Sequence, residues 1–290
     1  MEWFIYVLVS AVFTAVLSIF NKKILTHEHA LEFSASRGVI MFFLCLFLIP
    51  FINLKLHWSV FILVYFTSLI TTAGVLFYLK SLRHGEVSTI APLMNMSPLF
   101  LLIIAFFILG EVPSPRQYFG VFLLVLGTYS LEVGVNNKGF FEPIRIFLKS
   151  KIIHFLFFAM IIFSITATLD KFIVSNYTNF LSYFFLLTIF KMINFVALET
   201  YQHGFGEIIG DLKKDFRLLT ITAVFAFFGH IFYLLAVSIP GAAISLIIPI
   251  KRTSNLFTTI IGGKLFHEKN LLIKVLSCII MLWGAVFILI

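Results

Sequence analysis

The chain has 290 residues, 61% of them hydrophobic and 12% charged, and its mean hydropathy of +1.08 lies outside the range of water-soluble domains. Its formal charge of +8 invites a nucleic-acid reading, but the cations sit in short breaks between apolar runs rather than on one solvated face, so no nucleic-acid partner is expected. The two cysteines, Cys45 and Cys278, both fall inside apolar runs, which leaves no disulfide framework or metal site to build and marks them as packing residues.

A hydrocarbon core of ~30 Å takes about 20 apolar residues at ~1.5 Å each. Such runs occur near 3–20, 33–52, 58–80, 87–109, 117–134, 152–172, 180–199, 217–238, 241–263 and 270–290. The first lacks a basic leader and a small-residue cleavage site, so it reads as a spanning helix. The expected fold is an all-α, polytopic membrane protein with ten transmembrane helices.

In chain order, helix one repeats Ser10, Thr14, Ser18 and Asn21 at i, i+4, i+8 and i+11, and interhelical hydrogen bonding is the simpler account of that stripe. The "HEH" at 27–29 lacks the i, i+4 spacing of a helical zinc protease. Arg37, early in helix two, is placed to snorkel to the interface. Tyr78 shares a face of helix three with Thr71 and Gly74, and Asn95 stands between Pro92 and Pro98 in helix four. The longest charged break, "NNKGFFEPIRIFLKSK" at 136–151, divides the spans into units 1–135 and 152–290. Ser164, Thr168 and Lys171 recur along helix six, Lys191 and Asn194 share a face of helix seven, and a second basic break covers 203–217. His230 and Tyr233 share a face of helix eight, where packing is the blander reading. The 38 phenylalanines read as lipid-facing and packing residues.

The two units resemble each other. The stretch 74–111 aligns with 229–268, so that Gly74 meets Gly229, Tyr78 meets Tyr233, Ser88 meets Ser245, Pro92 meets Pro249 and Glu111 meets Glu268; further on, Gly127 meets Gly284. An odd number of spans per unit makes the second unit enter from the opposite side, giving inverted repeats with a substrate site expected at their midplane interface.

These features resemble the drug/metabolite transporter superfamily, of the EamA type: the five-plus-five plan, "GEVSTIAPLMNMSPLFLLIIAFFILGE" at 85–111, its partner ending in "GGKLFHE" at 262–268, and "YFGVFLLVLGTY" at 118–129. The resemblance implies solute transport by alternating access without cofactors. The adjacent Lys251 and Arg252 in helix nine are similar to the basic pair of the sugar-phosphate and nucleotide-sugar translocators, where it is associated with binding phosphate. Small multidrug exporters of the superfamily are built around a glutamate in the first helix; no acid stands between Trp3 and Asn21 here.

Each of Lys251 and Arg252 costs ~2.5–3.5 kcal/mol at a helix centre facing lipid, so both are expected to face protein or water. Pro249 favours a local break, and irregular backbone at this depth is tolerated where it lines a cavity. Lys251, Asn255, Thr258 and Gly262 form one stripe, with Arg252 and Thr259 beside it. The acids Glu111, Glu132, Asp170, Glu199 and Glu268 fall near span ends. Three readings stay open: an anion site, a structural ion pair with an acid such as Asp170, or a misplaced span. The expected substrate-binding set is Lys251, Arg252, Asn255, Asn95, Lys191, Tyr78, Tyr233 and His230, with Asp170 or His230 as proton-coupling groups.

The expected function is transport of a small organic anion, a phosphorylated metabolite before others, by exchange. The alternatives are export of amino acids or other small metabolites, flipping of a phosphate-linked lipid, and a nontransporting scaffold or receptor. No nucleophile elbow, P-loop or paired-carboxylate motif supports an enzyme. The expected setting is the cell membrane, with the bilayer, an anionic small molecule and a second copy of the chain as partners. Sidedness is in conflict: the resemblance implies cytoplasmic termini, whereas the Lys/Arg tally, 13 against 3 across the alternating loops, points the other way.

Overall fold

The computed structural model describes residues 2–112, 114–136 and 150–289; the break at 137–149, most of the expected inter-unit linker, lies outside the described residues. Every regular element among the described residues is helical. The α-helices are α1 (Glu2–Ile24), α2 (Ala30–Leu46), α3 (Trp58–His84), α4 (Val87–Leu93), α5 (Ser97–Leu109), α6 (Pro115–Asn136), α7 (Lys151–Asn176), α8 (Phe180–Gln202), α9 (Phe205–Lys214), α10 (Phe216–Ser238), α11 (Ile244–Lys251), α12 (Ser254–Leu265) and α13 (Leu271–Leu289). Their starts carry the expected chemistry. Ser150 accepts from the Ile153 amide ahead of α7, and Asn179 accepts from the Ser182 amide ahead of α8 at 2.8 Å, so short polar side chains satisfy first-turn donors.

Among the described residues, six helical segments are long and apolar enough to cross a membrane: α1, α3, the α4–α5 pair, α7, α8 and α10. The remaining apolar segments are the 17 residues of α2, the 22 of α6, the broken α11–α12 and the 19 of α13. The chain is an integral, multi-pass membrane protein. The main helix contacts include α1 on α10, α3 on α7, α2 on α8, α4 on α12, α5 on α7 and, less extensively, on α11, and α6 on α13. Contact between α6 and α13 is backbone-close, since a Cβ on Gly284 would stand 2.5 Å from the Gly120 carbonyl oxygen and one on Gly127 2.9 Å from that of Ser277. Without a hydrophobic drive between helices in lipid, such small-residue approach is a main source of packing. Between α1 and α10, Ser10 donates to the Gly229 carbonyl at 2.7 Å and Phe13 stacks on Phe228 and Phe232.

Two spans are interrupted. A 3-10 turn over Met94–Met96 separates α4 from α5, and Arg252–Thr253 separates α11 from α12. Pro249 removes an amide donor within α11, and the helix tightens three residues on, where Thr253 donates to Ile250 and Asn255 to Arg252. The free N-terminus of each interrupted span is capped by a carboxylate from the opposite end of the sequence. Glu111 accepts from the Ile244 and Ser245 amides at 2.9 and 3.0 Å and from the Ser245 hydroxyl at 2.6 Å. Glu268 accepts from the Val87 and Ser88 amides, both at 2.9 Å, and from the Ser88 hydroxyl. The adjoining C-termini are closed by lysines. Lys22 donates to the carbonyls of Leu82, Arg83 and Gly85 at the end of α3, and Lys171 to those of Val237 and Ile239 at the end of α10. Both satisfy helix-end acceptors and complement the dipole.

The break at 203–217 contains a helix that hydropathy alone does not reveal. α9 is amphipathic, and Ile208 packs with Ala35 of α2 and Phe195 of α8. Its Asp211 meets Glu28 and Glu32, with carboxylate oxygens all within 4.8 Å of one another. Ser36 donates to Asp211, and Lys214 donates to Glu28 at 2.7 Å.

The fully buried Lys274 lies 2.8 Å from Glu86 and 3.4 Å from Glu268. Removing Glu268 therefore strips both a helix cap and a partner from a buried cation. Glu268→Ala should destabilise by about 3–5 kcal/mol, while Glu111→Ala, which removes only a partly exposed cap, should cost about 1–2 kcal/mol. Comparing the two denaturation midpoints in one detergent checks the order, and equal losses would count against the asymmetry.

Burial and the hydrogen bond with Glu32 push the Asp211 carboxyl up to about 8, burial raises that of Glu28 above the usual carboxylate range, and the contact with Glu28 raises the Lys214 ammonium. An acid whose pKa is higher folded than unfolded stabilises the docked state fully below its unfolded value, about 4 for Asp, and that stabilisation disappears as pH rises through the folded value. The docking of α9 should thus loosen between about pH 4 and pH 8. Hydrogen exchange of α9 amides, corrected for intrinsic rates, should accelerate across that window, and Asp211→Asn should flatten the dependence.

Candidate functional site

The two interruptions face each other. The Asn255 side-chain amide donates to the Asn95 side-chain carbonyl at 2.6 Å, and Arg252 Nε donates to Ser97 Oγ at 3.0 Å. Beside them lies a cavity of about 290 Å³, walled by α1, α2, α3, the α4–α5 break, α7, α8, α10 and the α11–α12 break. Backbone that leaves helical geometry at this depth therefore borders an internal space, as the cost of unsatisfied polar groups in hydrocarbon requires.

Of the expected site residues, Lys251, Arg252, Asn255, Lys191, Tyr78, Tyr233, His230 and Asp170 all line this cavity. Asn95 does not. It borders a separate void of about 10 Å³ with Arg252, Cys278 and Met281, and its amide is spent on Asn255 and the Met281 sulfur. Its position in the 3-10 turn aims it at the facing break, which sequence position did not show. Asn194 shares its helix with Lys191 but bonds Ser68 and Thr72 of α3.

The Lys251 ammonium sits 4.1 Å from the centre of the Tyr233 ring, a cation–π contact that is strengthened when desolvated. The Tyr233 hydroxyl in turn donates to Asp170 Oδ2 at 3.1 Å, and Tyr183 donates to Oδ1 at 2.5 Å. Asp170 lies six residues before the end of α7 and is buried, so its carboxylate is solvated by two phenols rather than by a direct cation partner. Among the described residues, no carboxylate lies within 4 Å of Lys251, Arg252 or Lys191; the acid-paired lysines are Lys214 and Lys274. His230 packs against Phe184 and Tyr233, and its Nε2 is buried without a hydrogen-bond partner. Tyr78 meets Phe163 edge-on.

Arg37 does not snorkel. It lines the cavity, donates to Asn21 Oδ1 at 3.2 Å and lies 4.6 Å over the Phe33 ring. Asn21, about three helical turns beyond Ser10 on the same stripe, is the signal that could have found it. Thr14 and Ser18 also line the cavity while returning their hydroxyls to their own helix.

Tyr233 has two separable tasks. Tyr233→Phe keeps the ring under Lys251 and removes the donor to Asp170, which should cost about 1.5–3 kcal/mol for a charge-assisted bond. Tyr233→Leu removes both and should cost more. Thermal midpoints of the two variants in one detergent check the order, and equal losses would deny the ring any role.

Comparison with known proteins agrees with this architecture. Residues 1–132 match the EamA-like transporter family. Twenty-three solved chains are similar, among them the crystal structure of a protein that is 13% identical, with a TM-score of 0.66 over 99% of this chain and 96% of that one; at that identity the likeness is one of fold. No curated protein sequence matches. Over its first 132 residues the chain is thus similar to EamA-like transporters, a family that suggests a membrane transporter of small molecules.

Proposed function

We propose that the protein carries a small organic anion, a phosphorylated metabolite in the first instance, by alternating access between two five-span units of opposite topology. The observation that carries the anion reading is the charge inventory of the cavity. Arg37, Lys191, Lys251 and Arg252 line it together with a single carboxylate, Asp170, which is held by two tyrosines. Cations in a membrane interior are costly unless paired or wetted, and an anionic substrate supplies the missing partner. Arginine offers a planar fork and lysine a mobile point charge, a combination suited to phosphate or carboxylate. Pairing of helices across the halves and the reciprocal caps of Glu111 and Glu268 support the reading of two opposed units. A site that carries less uncompensated charge loaded than empty also favours exchange, because the empty carrier would reorient with all of its excess charge.

Asp170 supports a second reading. A carboxylate in the same cavity as the basic pair could hold the ammonium of an amino acid whose carboxylate meets Lys251 and Arg252. A sealed scaffold, by contrast, would need these cations paired internally.

The test is a thermal-shift screen of the purified protein against phosphate monoesters and amino acids, with Arg252→Ala alongside. A ligand at 100 times its Kd should stabilise by about 2.7 kcal/mol, and the shift should disappear in the variant. Stabilisation by amino acids alone would favour the second reading, and a variant stabilised as well as the parent would defeat both.

A further inference from the structure

The cavity's four cations are not one cluster. Lys251 and Arg252 come from the interruption between α11 and α12, whereas Arg37 and Lys191 come from α2 and α8, on different walls. Arg37 lies seven residues into α2, at the end of the molecule where Asn21 closes α1. Lys251 lies seven residues into α11, which starts at the opposite end, where Lys171 caps α10. At ~1.5 Å per residue each is about 10 Å in from its own end of a ~30 Å core, which separates them by on the order of 10 Å along the membrane normal. Lys191, eleven residues into α8, falls between, within reach of the charges of both Asp170 and Arg37.

The second pair is also prepared for a ligand. Asn21 and Phe33 fix the Arg37 guanidinium from one edge and one face, leaving the rest of the donor fork toward the cavity. Lys191 has no carboxylate within 4 Å among the described residues. Charge balance decides what such a cavity accepts. With Asp170 ionised, three positive charges are uncompensated; a monoanion leaves two and a phosphate monoester dianion leaves one. In a low-dielectric site each residual charge weakens binding.

Resting on the anion-transport reading above, we infer that Arg37 and Lys191 form a second anion subsite, and that the substrate is a small molecule with anionic groups at both ends. One group meets Lys251 and Arg252, the other Arg37 and Lys191.

Two probes separate the inference from the reading it rests on: propylphosphonate, with one anionic group, and 3-phosphonopropionate, which adds a terminal carboxylate. Binding to the purified full chain in detergent, by calorimetry at fixed ionic strength, should show 3-phosphonopropionate at least about tenfold tighter. Arg37→Gln should abolish that preference by weakening 3-phosphonopropionate more than propylphosphonate, and Arg37→Lys should restore part of it, which a merely unfolded variant could not do. Equal affinities in the parent, or an Arg37→Gln variant that weakens both probes alike, would overturn the second subsite and leave the anion reading standing. Failure of the parent to bind either probe would count against both.

Discussion

Two carboxylates hold this architecture together by reaching across it. Glu111, just beyond the end of α5, caps the start of α11, and Glu268, just beyond the end of α12, caps the start of α4. Each interrupted span therefore has its first-turn amides satisfied by the other, and neither can be shifted along its axis without stranding backbone donors at a membrane rim. Because the ends are pinned, the middles can be irregular. Both breaks fall between capped ends and meet face to face through Asn95, Asn255, Ser97 and Arg252. The cavity is the space those pinned, broken helices leave beside them.

Charge placement follows from the same constraint. Lys22 and Lys171 look like loop cations in the sequence, yet each is spent on the C-terminal carbonyls of a neighbouring helix. Lys274 is fully buried and spent on Glu86 and Glu268. What remains in the interior is a set that, among the described residues, has no carboxylate within 4 Å, while Asp170 on the same cavity is held by the phenols of Tyr183 and Tyr233. Lys22, Lys171 and Lys274 thus have structural partners, whereas Arg37, Lys191, Lys251 and Arg252 line the cavity.

Much of this was legible in the sequence, for physical reasons. Apolar run length marks spans because lipid allows few alternatives, and the pairing of Ser88 with Ser245 and of Glu111 with Glu268 in the repeat alignment coincides with the two cap sites. Lys251 and Arg252 stood out because charges at that depth need an explanation. Where the sequence misled, the missing quantity was direction. Arg37 is as close to a helix end as a snorkelling residue would be, and only the position of Asn21 shows that it turns inward. Asn95 was placed in the cavity by its repeat counterpart, but the 3-10 turn rotates it toward Asn255. The helix α9 was hidden because its amphipathic period is short and flanked by charge, so hydropathy averages it away.

The two rims, similar in their caps, differ in what backs them. By the spacing that relates Glu111 to Glu268, the position of Lys274 corresponds to Gln117, and the glutamine does different work: it accepts from the Ser114 amide at 2.7 Å and closes the start of its own helix, α6. The Glu268 rim is thus held by the buried Lys274 of α13 between Glu268, just after α12, and the half-exposed Glu86 before α4, while at the Glu111 rim the equivalent side chain is neutral and locally bonded. Separating the first parts the fully buried Lys274 from its carboxylates, and separating the second costs the Glu111 cap on the Ile244 and Ser245 amides without a buried lysine at the equivalent position. Breaking a buried pair is costly because each member is left unpartnered, so the two rims, alike in their caps, are held with unequal strength.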